Sequence, residues 1–327
     1  MPEPVWYELR SLRSRAVGLA ARDGRRHALF VAALEQFEEL LKASAGLSPA
    51  SRPLTAYYAL AQAGKAIVAA HSTTGPARSH GLAMADPVPG RDLMTTPLQA
   101  SWDGWYQLVS ATVGSPTLLK AELGQIWAAI PDVAYTPLPF GSWAKAARVY
   151  PVEGKFAFAP AKTAVADVVL NPAPANPQEA ANRLKAYPTE ARKKVALVPG
   201  LDPAALISTV TERGIGFRVT FSIPETHEAI PQPSIVTRQA PEYRFAGQHW
   251  LIPALDEGQV LSPLMLWWAL LFALSMLARY HPEAWVSALD VNHSQLAVPL
   301  EDALEAAQTA VPHLVLEVLI REHIRLH

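Results

Sequence analysis

The sequence predicts a mainly helical α+β protein, a helical bundle formed by the N- and C-terminal segments with a β-rich segment inserted between them. Three observations predict it. Apolar residues recur at helical spacing through residues 1–130 and again after Gly258. Between Pro131 and Gln259 lie 16 of the 29 prolines, interleaved with short β-favouring runs. Finally, of the fifteen residues from Leu264 to Ala278 only Ser275 is polar, so a helix there has no face for water and needs cover on every side.

In "HALFVAALEQFEELLKAS" the residues Leu29, Ala33, Phe37 and Leu40 fall at three- and four-residue spacing, with Glu35, Glu38 and Glu39 facing elsewhere, which is the pattern of an amphipathic helix. A second helix begins at "SRPLTAYYALAQAGKAIVAAH", where Pro53 suits the first turn because its missing N–H would have no partner there. A third is read in "SPTLLKAELGQIWAAIP", stopped by Pro131. The middle segment supplies strands in "KFAFA", "VADVVL", "KKVALV", "GFRVTFSI" and "HWLIPAL", punctuated by Pro, Gly, Asn and Asp. One helix is read there in "NPQEAANRLKAY", capped by Asn176 with Pro177 in its first turn. Pro282 ends the apolar helix, because the residue before a proline avoids the α region, and Arg279 then stands in the last turn. The closing "VPLEDALEAAQTAVPHLVLEVLIREH" reads as helix interrupted at Pro312. The chain is thus expected to comprise an N-terminal helical segment, 1–130, a proline-rich β-containing segment, 131–259, and C-terminal helices, 260–327, that pack on the first.

With 28 basic and 29 acidic residues the net charge is −1, so no overall field draws the chain to nucleic acid or to an anionic membrane. The absence of cysteine excludes disulfides, thiolate nucleophiles and thiolate zinc sites. The charged N-terminus lacks the apolar core of a secretory signal, and a cytoplasmic location is expected. As a helix, the apolar run would rise about 22 Å, short of the roughly 30 Å of a bilayer core, so burial in protein is expected and a membrane partner is not. Its cover would come from other helices or a second copy of the chain, which makes a homo-oligomer or a partner protein the expected state. No Walker loop, dinucleotide fingerprint, "GxSxG" elbow or "HExxH" helix is present, and no cofactor or metal is expected.

"RPLTAYYALAQAGKA", "SHGL" at 79–82 and "LSPLMLWWALLFALSMLARYHPEAW" resemble, in order and separation, the YaaC-like family of bacterial proteins. The positions that carry the resemblance are Arg52, Pro53, Tyr57, Tyr58, Lys65, His80, Gly81, Arg279, Tyr280 and Trp285. It implies an architecture and no reaction. The N-terminal pattern of two tyrosines, a small-residue stretch and a lysine is also similar to the helical HEPN class, which implies a dimeric, metal-independent ribonuclease using an arginine and a histidine a few residues apart, with RNA as partner.

Under that second resemblance the candidate catalytic pairs are Arg22 with His27 and Arg321 with His327. A histidine and an arginine could supply the base, the acid and the cation of RNA cleavage. A five-residue step nevertheless turns about 140° around a helix, so "RDGRRH" reads equally as a solvated basic segment. In "REHIRLH", His323 and His327 share a helix face, but at the extreme C-terminus a frayed polar tail is the alternative. Tyr58, Gln62 and Lys65 form one polar stripe on an otherwise apolar helix, and with Arg52 and His80 they are the candidate ligand-binding residues for a phosphate or carboxylate; the alternative is a solvent-facing helix. Arg279, Tyr280 and Trp285 are read as structural, with Arg279 expected to hold a carboxylate from Glu301, Asp302 or Glu305. A remote alternative is a metal-dependent nuclease built on Asp132, Glu153 and Lys155.

Overall fold

The computed structural model describes residues 4–151 except Pro76 and Tyr135, then 163–170, 179, 182–183, 185–187, 194–195, 216–222, 242–245 and 248–321. The chain divides into two compact units. One contains the described residues of 1–142 and 261–324, and the described residues of the other lie within 143–260. The protein is mainly α with some β.

The first unit holds eight described α-helices: α1 (Pro4–Ser14), α2 (Gly24–Ala45), α3 (Arg52–His71), α4 (Trp105–Thr112), α5 (Leu123–Ala128), α6 (Pro263–Tyr280), α7 (Pro282–Ala288) and α8 (Ala297–Ile320). A small antiparallel sheet, order β1 (Leu82–Met84), β2 (Pro97–Ala100), β3 (Ala121–Glu122), lies between α3 and α5 in sequence. The core is organised on α3 and α6. Helix α3 packs on α2, α4, α6 and α8, while α6 also meets α5, α7 and α8. Every residue from Leu264 to Ser275 is buried, as is Leu277. By length and composition α6 and α8 could each cross a membrane, but both are largely buried inside the unit, as core helices are. The chain's own helices therefore cover α6.

The small-residue face of α3 explains how closely these two helices meet. A Cβ on Gly64 would lie 2.4 Å from the Trp268 ring, so only glycine admits the indole there. Helices α2 and α3 run antiparallel, and each has an arginine near its start that satisfies the end of the other. Arg26 donates to the carbonyls of Val68, Ala69 and Ser72, and Arg52 donates to those of Ala45 and Leu47. Carbonyls at and just past a helix end lack a full set of intrahelical partners, and an arginine there also complements the helix dipole.

Four expectations are corrected here. On α2 the buried stripe is Phe30, Ala33, Leu34, Phe37, Glu38 and Leu41, while Leu29 is 41% exposed. Glu38 turns inward because α1, unread in the sequence, brings Arg10 and Arg13 to it. The helix read over 115–131 shrinks to α5, because Ala121–Glu122 pairs with β2 and the Glu122 N–H is taken by the Gln125 side chain at 2.8 Å. Pro312 does not interrupt α8: the residue is buried among flanking apolar side chains, and the ring of His313 donates to the Thr309 carbonyl at 2.6 Å.

The second unit contains a six-stranded antiparallel sheet, order β6-β7-β5-β4-β9-β8, with β4 Ala147–Pro151, β5 Thr163–Val169, β6 Lys194–Val195, β7 Gly216–Ser222, β8 Glu242–Phe245 and β9 Gln248–Leu251. Strands were read in the runs that hold β5, β6, β7 and β9; β4 and β8 were not read. "KFAFA" and half of "NPQEAANRLKAY" lie outside the described residues. Across the sheet Arg148 faces Trp250, its guanidinium 5.9 Å from the ring centroid.

Candidate functional site

Three segments of the first unit bring polar side chains to the exposed end of α6: the first half of α3, residues 79–82, and the last turn of α6 itself. Adjacent positions on a helix differ by about 100° in direction, so Tyr57 and Tyr58 part company. Tyr57 goes inward, 3% exposed and edge-on to Phe272 at 5.5 Å, while Tyr58 stays 37% exposed.

The segment carrying His80 is braced against the turn before α4. Trp105 N–H donates to the Ser79 carbonyl at 2.9 Å, Tyr106 N–H to His80 at 3.1 Å and Ser101 N–H to Gly81 at 3.0 Å. The Gln107 amide accepts from Gly104 N–H at 3.0 Å and donates to Gly81 at 2.7 Å. Gly81 has φ +86°, and a Cβ on Gly104 would lie 2.1 Å from the Gly81 Cα, so the close approach requires glycine on both turns.

His80 Nδ1 lies 3.1 Å from the Tyr57 hydroxyl. Burial pushes the Tyr57 phenol well above its ordinary range, with the neighbouring Trp268 side chain partly offsetting the shift, so the phenol keeps its proton. His80 itself is exposed. Arg279 donates from Nη1 to the Tyr58 hydroxyl at 3.2 Å, and its guanidinium lies 4.8 Å from the centre of the Tyr280 ring. Having accepted from Arg279, the Tyr58 hydroxyl still has its own proton to give. The exposed inventory is the Tyr58 O–H, the remaining Arg279 N–H groups and the His80 imidazole. Arg279 makes no ion pair among the described residues; two positions on, His281 Nε2 lies 3.3 Å from the Asp86 carboxylate.

The other expected site residues distribute as follows. Arg52 is engaged at the end of α2. Gln62 and Lys65 are half-buried and make no hydrogen bond or ion pair among the described residues. Trp285 is 1% exposed and donates to the Ala50 carbonyl at 3.1 Å, a structural tie between α7 and the α2–α3 connection. The carboxylate partner expected for Arg279 is overturned: Asp302 instead accepts from Thr136 at 2.5 Å, and the guanidinium is held by two phenols. Arg22 and His27 are exposed and flank Asp23, which caps α2 by accepting the N–H groups of Arg25 and Arg26. Arg321 ends α8 with φ +55°, and His323 and His327 lie outside the described residues. Asp132 is buried and accepts the Trp267 indole N–H at 2.8 Å; Glu153 and Lys155 are outside the described residues. Among the described residues no three His, Asp or Glu side chains gather as a metal site would require.

Sequence reading missed the role of Tyr57, whose signals were its place beside Tyr58 and among the positions that carry the family resemblance. It also passed over Trp102, which is 97% exposed on the braced turn next to His80. Away from this cluster, an open groove of about 630 Å³ is lined by residues that include Ala50, Val286, Glu283, Asp290 and Glu301, an acidic lining.

No curated protein and no solved structure matches the chain. The family described as YaaC-like Protein matches residues 12–319, a span that includes α3, the His80 segment and α6, and nothing in that match carries the HEPN-type resemblance. With nearly its whole length matched, the chain belongs to the YaaC-like family.

Proposed function

We propose that this protein is a binding component of a larger system, cytoplasmic and acting with copies of itself or a partner protein, and that it engages its ligand through the donor cluster at the end of α6. The group it recognises is an anion, a phosphate or a carboxylate. One observation carries this reading: a guanidinium positioned by two phenols, with an exposed imidazole tied to a third phenol on the same helix as Tyr58. Neutral partners orient Arg279 without consuming its charge, so an incoming oxyanion meets pre-placed donors and little reorganisation is needed. Lys65, one turn beyond Gln62 on α3, adds charge to the same helix. The ribonuclease alternative needs an arginine and a histidine acting on one phosphate, and Arg22 and His27 are built around a helix cap instead.

The test is thermal unfolding of the full chain titrated with sodium phosphate against sodium chloride at matched ionic strength. Phosphate raises the Tm of the wild type, and Arg279→Gln removes the difference between the two salts. Equal responses in wild type and variant would reject the site.

A further inference from the structure

Trp102 is 97% exposed, an unusual state for the side chain with the largest apolar area. It is also held there. Asp103, which follows it, has φ +57°, a left-handed conformation that disfavours a side chain with a Cβ, and the Asp103 carbonyl accepts from Ser79 Oγ at 2.9 Å. Ser101, which precedes it, donates its N–H to Gly81 at 3.0 Å. Trp102 is therefore mounted on the same braced pair of turns as His80, one peptide beyond a hydrogen bond to the residue that follows that histidine. The indole is thus carried exposed on a backbone fixed against the segment that bears His80.

An open indole, two half-open phenols at Tyr58 and Tyr280, and a set of oxyanion donors together describe a ligand with two parts. Resting on the anion-binding reading above, we propose that the ligand is a planar aromatic molecule bearing an anionic group. The ring stacks on Trp102, and the anion is held by Arg279, Tyr58 and His80. A nucleotide and an aromatic carboxylate share this chemistry. Stacking on tryptophan tolerates many rings because each has a π face, so the donors select for charge and the indole for planarity.

The experiment is calorimetric titration of the full chain, as wild type, Trp102→Ala and Arg279→Gln, with inorganic phosphate, AMP, adenosine and indole-3-acetate. Circular dichroism establishes that each variant is folded, and the exposure of Trp102 makes its removal structurally mild. In the wild type AMP or indole-3-acetate binds about tenfold more tightly than phosphate, and Trp102→Ala removes that advantage while leaving phosphate affinity unchanged. Which of the two aromatic anions gains more identifies the source. If phosphate binds but neither aromatic anion binds more tightly, or if Trp102→Ala leaves the advantage intact, the stacking proposal is overturned and the anion site stands. Adenosine binding as tightly as AMP, or no anion binding at all, overturns the anion site and this proposal with it. A change of oligomeric state on Trp102→Ala without loss of aromatic-anion affinity would make Trp102 a protein-contact residue and overturn the stacking role.

Discussion

Glu38, on α2, is gripped by Arg10 Nε at 2.8 Å and by Arg13 Nη2 at 2.7 Å from α1, with Lys42 from its own helix as a third cation. Arg279, at the end of α6, donates to the Tyr58 hydroxyl and lies over the Tyr280 ring, and makes no ion pair among the described residues. At Glu38 burial opposes the charge, but hydrogen bonds from Arg10 and Lys42 and their charges outweigh it and hold the carboxyl at about 2, well below its ordinary value of 4.5. That cluster spends its charge inside the fold, tying α1 to α2. Neutral partners at Arg279 leave a fixed cation facing outward. Charges satisfied by charges are structure, whereas a charge oriented by neutral groups remains open to a ligand.

The largest effect is expected beneath the Arg279 cluster. Leu271 is fully buried in α6, and Leu271→Asp strands a carboxylate in an apolar site, so soluble folded protein is lost; a folded variant of unchanged stability, checked by circular dichroism and denaturation, would show that α6 is not the rigid base assumed here.

Next comes the Glu38 cluster. Glu38→Ala leaves three partly exposed cations without their anion and lowers stability by about 1.5–3 kcal/mol in chemical denaturation. Its pH dependence has a definite sign. The folded pKa is depressed from 4.5 to about 2, so the stabilisation is fully present above the unfolded value and is lost as pH falls through that interval. Glu38→Gln should remove this slope between the two values, which the difference in unfolding free energy from wild type against pH would record.

Arg26→Ala takes the donor from three carbonyls at the end of α3 and is expected to cost about 1–2 kcal/mol. Smallest is Arg279→Lys. With no carboxylate on its guanidinium, stability should change by no more than about 0.5 kcal/mol, while the phosphate-specific rise in Tm weakens because the fork is gone. A loss several times larger would mean that Arg279 belongs with Glu38 as a structural charge.

Residues with local signals were legible in the chain. The apolar period marked α2 and α3, the unbroken apolar run and the Pro282 stop marked α6, and alternation marked β7. The burial of α6 followed from its lack of a polar face. The one-position shift that buries Glu38 and exposes Leu29 was not legible, because α1 decides it from 25 to 28 residues away. Nor was the truncation of α5, since strand pairing with β2 competes with helix for the same residues. Tyr58, Lys65 and His80 could be nominated as candidates from their types and spacing, but not the pairing of His80 with Tyr57 across 23 residues or of Arg279 with Tyr58 across 221.

By itself the sequence determined where the principal helices lie, that α6 must be covered, and that the chain is YaaC-like, because period, punctuation and residue order are properties of the chain read in line. Only the tertiary structure decided which charges are consumed and which stay open. That choice depends on which side chains two distant segments bring within about 3 Å of each other, and linear spacing contains no such distance.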